Sequence, residues 1–270
     1  MSRSEAAPAH LRLYRLLRVL LQVFLGLLTV ALLFPFYGSD RRWRAVKRWS
    51  AGVCRALGVC VCVIGRPPAR RGRALLGVAN HVSWLDIPSI HSVWQVRFVA
   101  KSEVRHWPAI GWLAARTGTL FVERDRRRHA TRINESIHRA FAEGDAIAVF
   151  PEGTTTYGDE LRRFHASLLQ PAVDEHALVV PVALRYVDAH GNIDTAPGYV
   201  GQMSLAESLA RILSRRKIRV ELRFLPAIDA EGRTRRELAG LAQAAIAAAL
   251  NLPWPDREPG RSSDPRVAQR

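Results

Sequence analysis

The chain opens with an apolar block, residues 19–38, that carries no formal charge, and then alternates short apolar runs with amphipathic stretches. Val59–Ile64, 74–79, 96–100, 119–122, 146–150, 178–184 and Ile218–Phe224 have the length and content of buried strands. Residues 109–115, 130–142, 205–213 and Arg235–Leu250 have helical spacing; in the second of these, Ile133, Ile137 and Phe141 form one apolar stripe. Such alternation predicts an α/β fold: a single domain with a mostly buried mixed sheet flanked by helices. Gly65, Arg66, Pro67 and Pro68 mark a turn between the first two strands, and no internal repeat is present.

The opening block is about twenty residues long, enough to cross a hydrocarbon layer of ~30 Å at ~1.5 Å per helical residue. It ends in Phe34, Pro35, Phe36 and Tyr37 rather than in a small-residue cleavage site, so it reads as a retained segment. Arg12, Arg15 and Arg18 precede it, and Arg41, Arg42, Arg44, Lys47 and Arg48 follow, so flanking charge sets no orientation. Basic residues at both ends also suit a helix that enters one leaflet and returns. Trp43, Val46, Trp49, Val53, Ala56 and Leu57 then recur at helical spacing opposite a basic face, the pattern of a helix in the headgroup region. The predicted organisation is membrane-anchoring helices over 1–58, an α/β domain over 59–250 and a disordered basic tail over 251–270.

Composition narrows this picture only in part. With 48% apolar residues in 270, general disorder is excluded. The net charge of +16 suits an anionic partner such as a lipid surface or nucleic acid, although a chain rich in arginine and alanine carries part of that charge as compositional bias. Cys54, Cys60 and Cys62 are clustered and odd in number. They form neither a disulfide framework nor a four-ligand zinc site, so no metal is expected and a reducing, cytoplasmic setting fits them.

Three segments carry candidate chemistry. In the first, Asn80 and His81 follow a predicted strand, and Asp86 lies five residues after His81. Open α/β sheets hold their ligand sites at the carboxyl ends of strands. On one continuous helix a five-residue interval leaves two side chains about 140° apart, so a turn must intervene before Asp86 can accept the Nδ1 proton of His81 and leave Nε2 as a base. Pro88 supports that turn. Taken alone, the same residues also fit a carboxylate capping the next helix beside an unrelated histidine.

The second segment, Phe150-Pro151-Glu152-Gly153-Thr154-Thr155-Thr156, joins a tight turn at a strand end to three hydroxyls able to bind oxygen-rich groups. An ordinary turn has the same composition. The third, Gly118 to Arg124, delivers an arginine suited to bidentate phosphate contact at a strand end, and Lys101 is placed similarly after 96–100. Both also fit a solvated basic face, since Arg126, Arg127 and Arg128 follow.

Together these segments resemble the 1-acylglycerol-3-phosphate O-acyltransferase family, which acylates lysophosphatidic acid. Its four blocks recur in order: Asn80-His81-Val82-Ser83-Trp84-Leu85-Asp86, Gly118 to Arg124, Phe150 to Thr154, and Val179-Val180-Pro181-Val182. The resemblance covers roughly residues 74–190. It implies transfer of an acyl group from a thioester of coenzyme A or acyl carrier protein to the sn-2 hydroxyl of lysophosphatidic acid, giving phosphatidic acid for phospholipid synthesis. It implies His81 as general base, Asp86 as its orienting carboxylate, and an acceptor site drawn from Arg124, Glu152, Gly153 and Thr154, to which Lys101 is added from its place at a strand end. The acyl thioester is a substrate, and no cofactor is implied.

One departure stands out. Where the family's third block usually continues with arginine and serine, this chain has Thr155 and Thr156, with Arg162 and Arg163 as nearby replacements. A lysolipid without phosphate, such as lyso-ornithine lipid, is therefore an alternative acceptor. An alternative of another class is a non-catalytic, membrane-anchored basic protein that binds lipid or nucleic acid. It accounts for the charge but not for the ordered blocks, so no nucleic-acid partner is expected. The expected partners are membrane lipids, a lysolipid and the acyl donor, with the catalytic domain on the cytoplasmic side of the membrane.

Overall fold

A computed structural model describes residues 6–69, 72–122 and 127–253. The chain runs α1 (Ala9–Leu28), α2 (Ser39–Leu57), β1 (Val59–Ile64), β2 (Leu75–Ala79), α3 (Asp86–His91), β3 (Arg97–Lys101), α4 (Ile110–Arg116), β4 (Leu120–Val122), α5 (Arg127–Ala142), β5 (Ile147–Val149), α6 (Gln170–Asp174), β6 (Leu178–Val187), α7 (Leu205–Ser214), β7 (Ile218–Phe224), β8 (Ile228–Asp229) and α8 (Arg235–Leu250).

The strands form one mixed sheet in the order β1-β7-β6-β2-β5-β3-β4, with β8 beside β6. β2 is parallel to β5 and β6, and β3 to β5 and β4; β6 runs antiparallel to β7 and β8. Every residue of β2 is buried. Its pleat sends Leu75 and Ala79 into one apolar cluster and Leu76 and Val78 into the other, so helices cover both faces. Between them, Gly77 is packed so tightly that a Cβ there would lie 2.6 Å from Trp94 Cζ3.

Each expected strand is present. β6 continues past the expected end at 184 to Val187, while β8 and α6 were not anticipated. α6 carries Pro171 in its first turn and is too short to show a helical period. Of the expected tail, residues 254–270 lie outside the described ones.

The apolar helix is longer than the uncharged block. Ala9–Phe36 forms 28 helical residues that include an 18-residue window of mean hydropathy 2.4, long and apolar enough to cross a membrane. It includes a π-helical turn, Thr29–Leu33, and a 3-10 turn, Phe34–Phe36. The helix starts ten residues before the uncharged block because the arginines within it are accommodated. Arg15 is buried, and its guanidinium donates to the carbonyls of Arg215 and Arg216, each at 2.7 Å. Gly58, which ends α2 at φ +77°, leaves the room this needs, since a Cβ there would overlap the same guanidinium.

Both ends of this helix touch the α/β body. At one end the Ala7 N–H donates to Ser214 O at 2.8 Å. At the other, Val30 and Phe34 pack with Trp43, Val46 and Leu113, the last from α4. Midway, Trp49 of α2 donates its indole N–H to Gln22 O at 2.7 Å and lies against Gly26. The outer face stays exposed and apolar through Leu13, Leu17, Leu21, Phe24, Leu28 and Leu32.

Candidate active site at the carboxyl edge of the sheet

Because β2, β5 and β3 are parallel neighbours, their carboxyl ends share one edge. That edge carries His81 after β2, Glu152 after β5 and Lys101 at the end of β3. Asn80 makes the transition from strand to turn. Its side chain donates to Leu184 O and accepts from Leu184 N–H, both at 2.8 Å, replacing a backbone rung between β2 and β6.

The chain then bends through Ser83 to Leu85, and α3 starts at Asp86. The bend closes the pair: His81 Nδ1 lies 2.7 Å from Asp86 Oδ2. A carboxylate only accepts, so Nδ1 carries a proton and Nε2 is the ring nitrogen turned away from the carboxylate. Asp86 is fully buried. Its Oδ2 also accepts the N–H groups of Val82 at 2.8 Å and Ser83 at 2.9 Å, and its Oδ1 accepts the Tyr186 hydroxyl at 2.7 Å. Orienting the imidazole and organising the turn before a helix are thus one arrangement. The imidazole plane is fixed as well: it stacks on Phe150 with centroids 3.9 Å apart and an 11° tilt, and Phe150 stacks in turn on Phe98.

Glu152 lies beneath this turn. Its Oε1 accepts the His81 N–H at 2.7 Å and its Oε2 the Arg162 N–H at 2.9 Å, so the carboxyl joins the histidine turn to the loop after β5. Burial pushes the carboxyl up to about 7 even though both donors act in the opposite direction. Gly153 holds φ +67°, with His165 packed against the place a side chain would occupy. Of the three hydroxyls after it, Thr155 bonds to Tyr199 O, and Thr156 accepts the Gly158 N–H at 3.1 Å. Thr154 makes no hydrogen bond to another described residue and is the one hydroxyl left to present to a ligand.

The structure therefore brings His81, Asp86, Glu152, Gly153 and Thr154 together, with Lys101 two strands away. Arg124 lies outside the described residues. Of the suggested replacements, Arg162 pairs with Glu160 at 3.1 Å and Arg163 is exposed. Among the described residues no cluster of three or more His, Cys, Asp or Glu side chains could hold a metal ion. Cys54 is buried, which pushes its thiol up to about 11, a poor nucleophile.

Sequence reasoning missed Tyr186. It lies beyond the fourth block on the same strand, and its signal was a lone phenol on the core-facing register of an apolar strand, where a hydroxyl needs a partner.

An acyltransferase family model matches residues 60–185, which includes the whole edge except the final residues of β6. A lyso-ornithine lipid O-acyltransferase from Pseudomonas aeruginosa is 40% identical over 77% of this chain and 79% of its own length. A 1-acyl-sn-glycerol-3-phosphate acyltransferase from Neisseria meningitidis is 37% identical over 71% and 74%. The crystal structure of the 1-acyl-sn-glycerophosphate acyltransferase PlsC from Thermotoga maritima superposes with a TM-score of 0.65, covering 89% of this chain and 96% of that one; at 22% identity this likeness speaks for the fold. The ordered blocks, the edge they build and these relatives agree: the chain belongs to the 1-acyl-sn-glycerol-3-phosphate acyltransferase family of lysolipid acyltransferases.

Proposed function

We propose that this acyltransferase moves a fatty acyl group from a thioester of coenzyme A or acyl carrier protein to the sn-2 hydroxyl of lysophosphatidic acid. The observation that carries the reading is the His81–Asp86 pair, with Nδ1 turned to the carboxylate and the ring held against Phe150. His81 Nε2 takes the hydroxyl proton as the oxygen attacks the thioester carbonyl, and Asp86 supports the imidazolium that forms. Collapse of the tetrahedral intermediate breaks the C–S bond, and the departing thiolate recovers the proton from His81. Direct transfer of this kind needs no acyl-enzyme. Glu152 acts by holding the two loops together, since its oxygens already serve backbone N–H groups. Thr154 and Lys101 are proposed to face the acceptor, as is Arg124.

A second acceptor, lyso-ornithine lipid, is favoured by one observation. Thr155 stands where the family usually has an arginine, and its hydroxyl turns back to Tyr199 O, so this position offers no cation to a phosphate. The Pseudomonas aeruginosa relative acts on that class of lipid by its name. Purified protein supplied with acyl-coenzyme A or acylated carrier protein and each lysolipid in turn, with products read by mass, separates the two. The first reading predicts phosphatidic acid as the main product, whereas acylated ornithine lipid alone would replace it with the second.

Membrane attachment follows the same logic. The outer face of Ala9–Phe36 is apolar while both ends of the helix contact the α/β body, which supports insertion into one leaflet. The lysolipid then arrives from the bilayer and the thioester from water. Thioester donors of this kind are cytoplasmic, so we place the catalytic edge on that side.

A further inference from the structure

We infer that Tyr186 is a positioning residue for the His81–Asp86 pair, holding the carboxylate in the one orientation that aims Oδ2 at the imidazole; this rests on His81 being the base. The four donors around Asp86 are divided unequally. Oδ2 takes three, from His81 Nδ1, Val82 N and Ser83 N, whereas Oδ1 takes only the Tyr186 hydroxyl. Removing the phenolic donor leaves Oδ1 buried with nothing to bond, and the carboxylate plane is then free to turn about the Cβ–Cγ bond. A half-turn only exchanges two equivalent oxygens, so the harm comes from partial rotation, which bends and lengthens the bond from His81 Nδ1.

The anchor is rigid. Tyr186 is 1% exposed, and its backbone pairs with Val220 within the β6–β7 ladder, one pair from its end. Burial and the adjacent Asp86 push its phenol well above the usual range, so it stays a donor at every working pH. The hydroxyl that orients the site thus comes from a strand one hundred residues away. The local turn fixes three of the four bonds, and the sheet fixes the last.

The test is steady-state turnover with whichever lysolipid the enzyme accepts. Tyr186→Phe should lower kcat by about 10- to 100-fold, as loss of one hydrogen bond to a charged group allows, and leave both KM values within about twofold. In an Asp86→Ala background the same change should alter kcat by less than about twofold, because the group it positions is gone. Placing 4-aminophenylalanine at position 186, which retains a donor, should restore most of the loss; 4-fluorophenylalanine, which fills the space without donating, should not, and it serves as the test if Tyr186→Phe fails to fold. A donor-less variant with wild-type kcat, or an equal loss in the Asp86→Ala background, overturns the inference while leaving His81 as the base. Full activity in His81→Ala overturns the base and the inference together.

Discussion

Two carboxyl groups share this site, and their surroundings assign them different work. Asp86 is met by four donors and turns one oxygen to the imidazole; Glu152 has two backbone donors, and burial outweighs them, so its pKa rises from 4.5 to about 7. The sign for stability follows. A carboxyl with a raised folded pKa binds protons more tightly in the folded state, so stability is highest below the unfolded pKa and falls as pH rises through the window from 4.5 to about 7. The slope is at most about 1.4 kcal/mol per pH unit. Buried His91, lowered to about 4, acts the other way between that value and 6.5, where stability falls as pH drops. Denaturant melts at pH 5, 6 and 7.5 should therefore be compared between wild type and Glu152→Gln, in which the His91 contribution cancels. The variant should be less stable at pH 5, having lost one acceptor, and the difference should shrink toward pH 7.5; a constant difference would contradict the assignment.

Residue contacts were legible in sequence where they are local. His81 and Asp86 lie within one turn, so the spacing itself states that the chain must bend between them. Tyr186 was not legible, because its partner is distant in sequence and only the β2–β6 pairing brings the two strands together. Thr155 and Thr156 were misleading for the opposite reason. Their composition suits ligand binding, but one hydroxyl is bonded to Tyr199 O and the other to the Gly158 N–H within the loop.

Among elements, strands with continuous apolar runs were read within a few residues, since burial on both faces leaves no polar position to confuse the count. β8 and α6 were missed because two and five residues carry no measurable period. The start of α1 was missed because three arginines look like a boundary, whereas Arg12 and Arg15 donate to backbone carbonyls inside the fold. That docking makes a prediction for the helix as a unit. At ~1.5 Å per residue it is about 42 Å long, more than a bilayer core, yet a spanning helix would carry its two ends to opposite sides and could not keep both on one domain. With protein bound to the outside of preformed anionic vesicles, protease added outside should remove an N-terminal tag and a C-terminal tag alike. Protection of the N-terminal tag would establish a spanning helix instead.

For the whole molecule, an apolar helix long enough to cross a membrane, a chain net charge of +16 and a sheet edge carrying the His81–Asp86 pair occur together in a lysolipid acyltransferase, a combination suited to work between water and lipid. The fold class and the edge followed from alternation and from strands ending in chemistry. The acceptor did not, since relatives of similar identity carry different lipid names, and headgroup recognition depends on contacts that no single block encodes. The central claim is transfer by His81, and the most direct measurement is product mass from wild type and His81→Ala under identical lysolipid and thioester. The account predicts an acylated lysolipid from wild type and a rate lower by about 10²- to 10⁴-fold in a folded His81→Ala variant; undiminished product from that variant would contradict it.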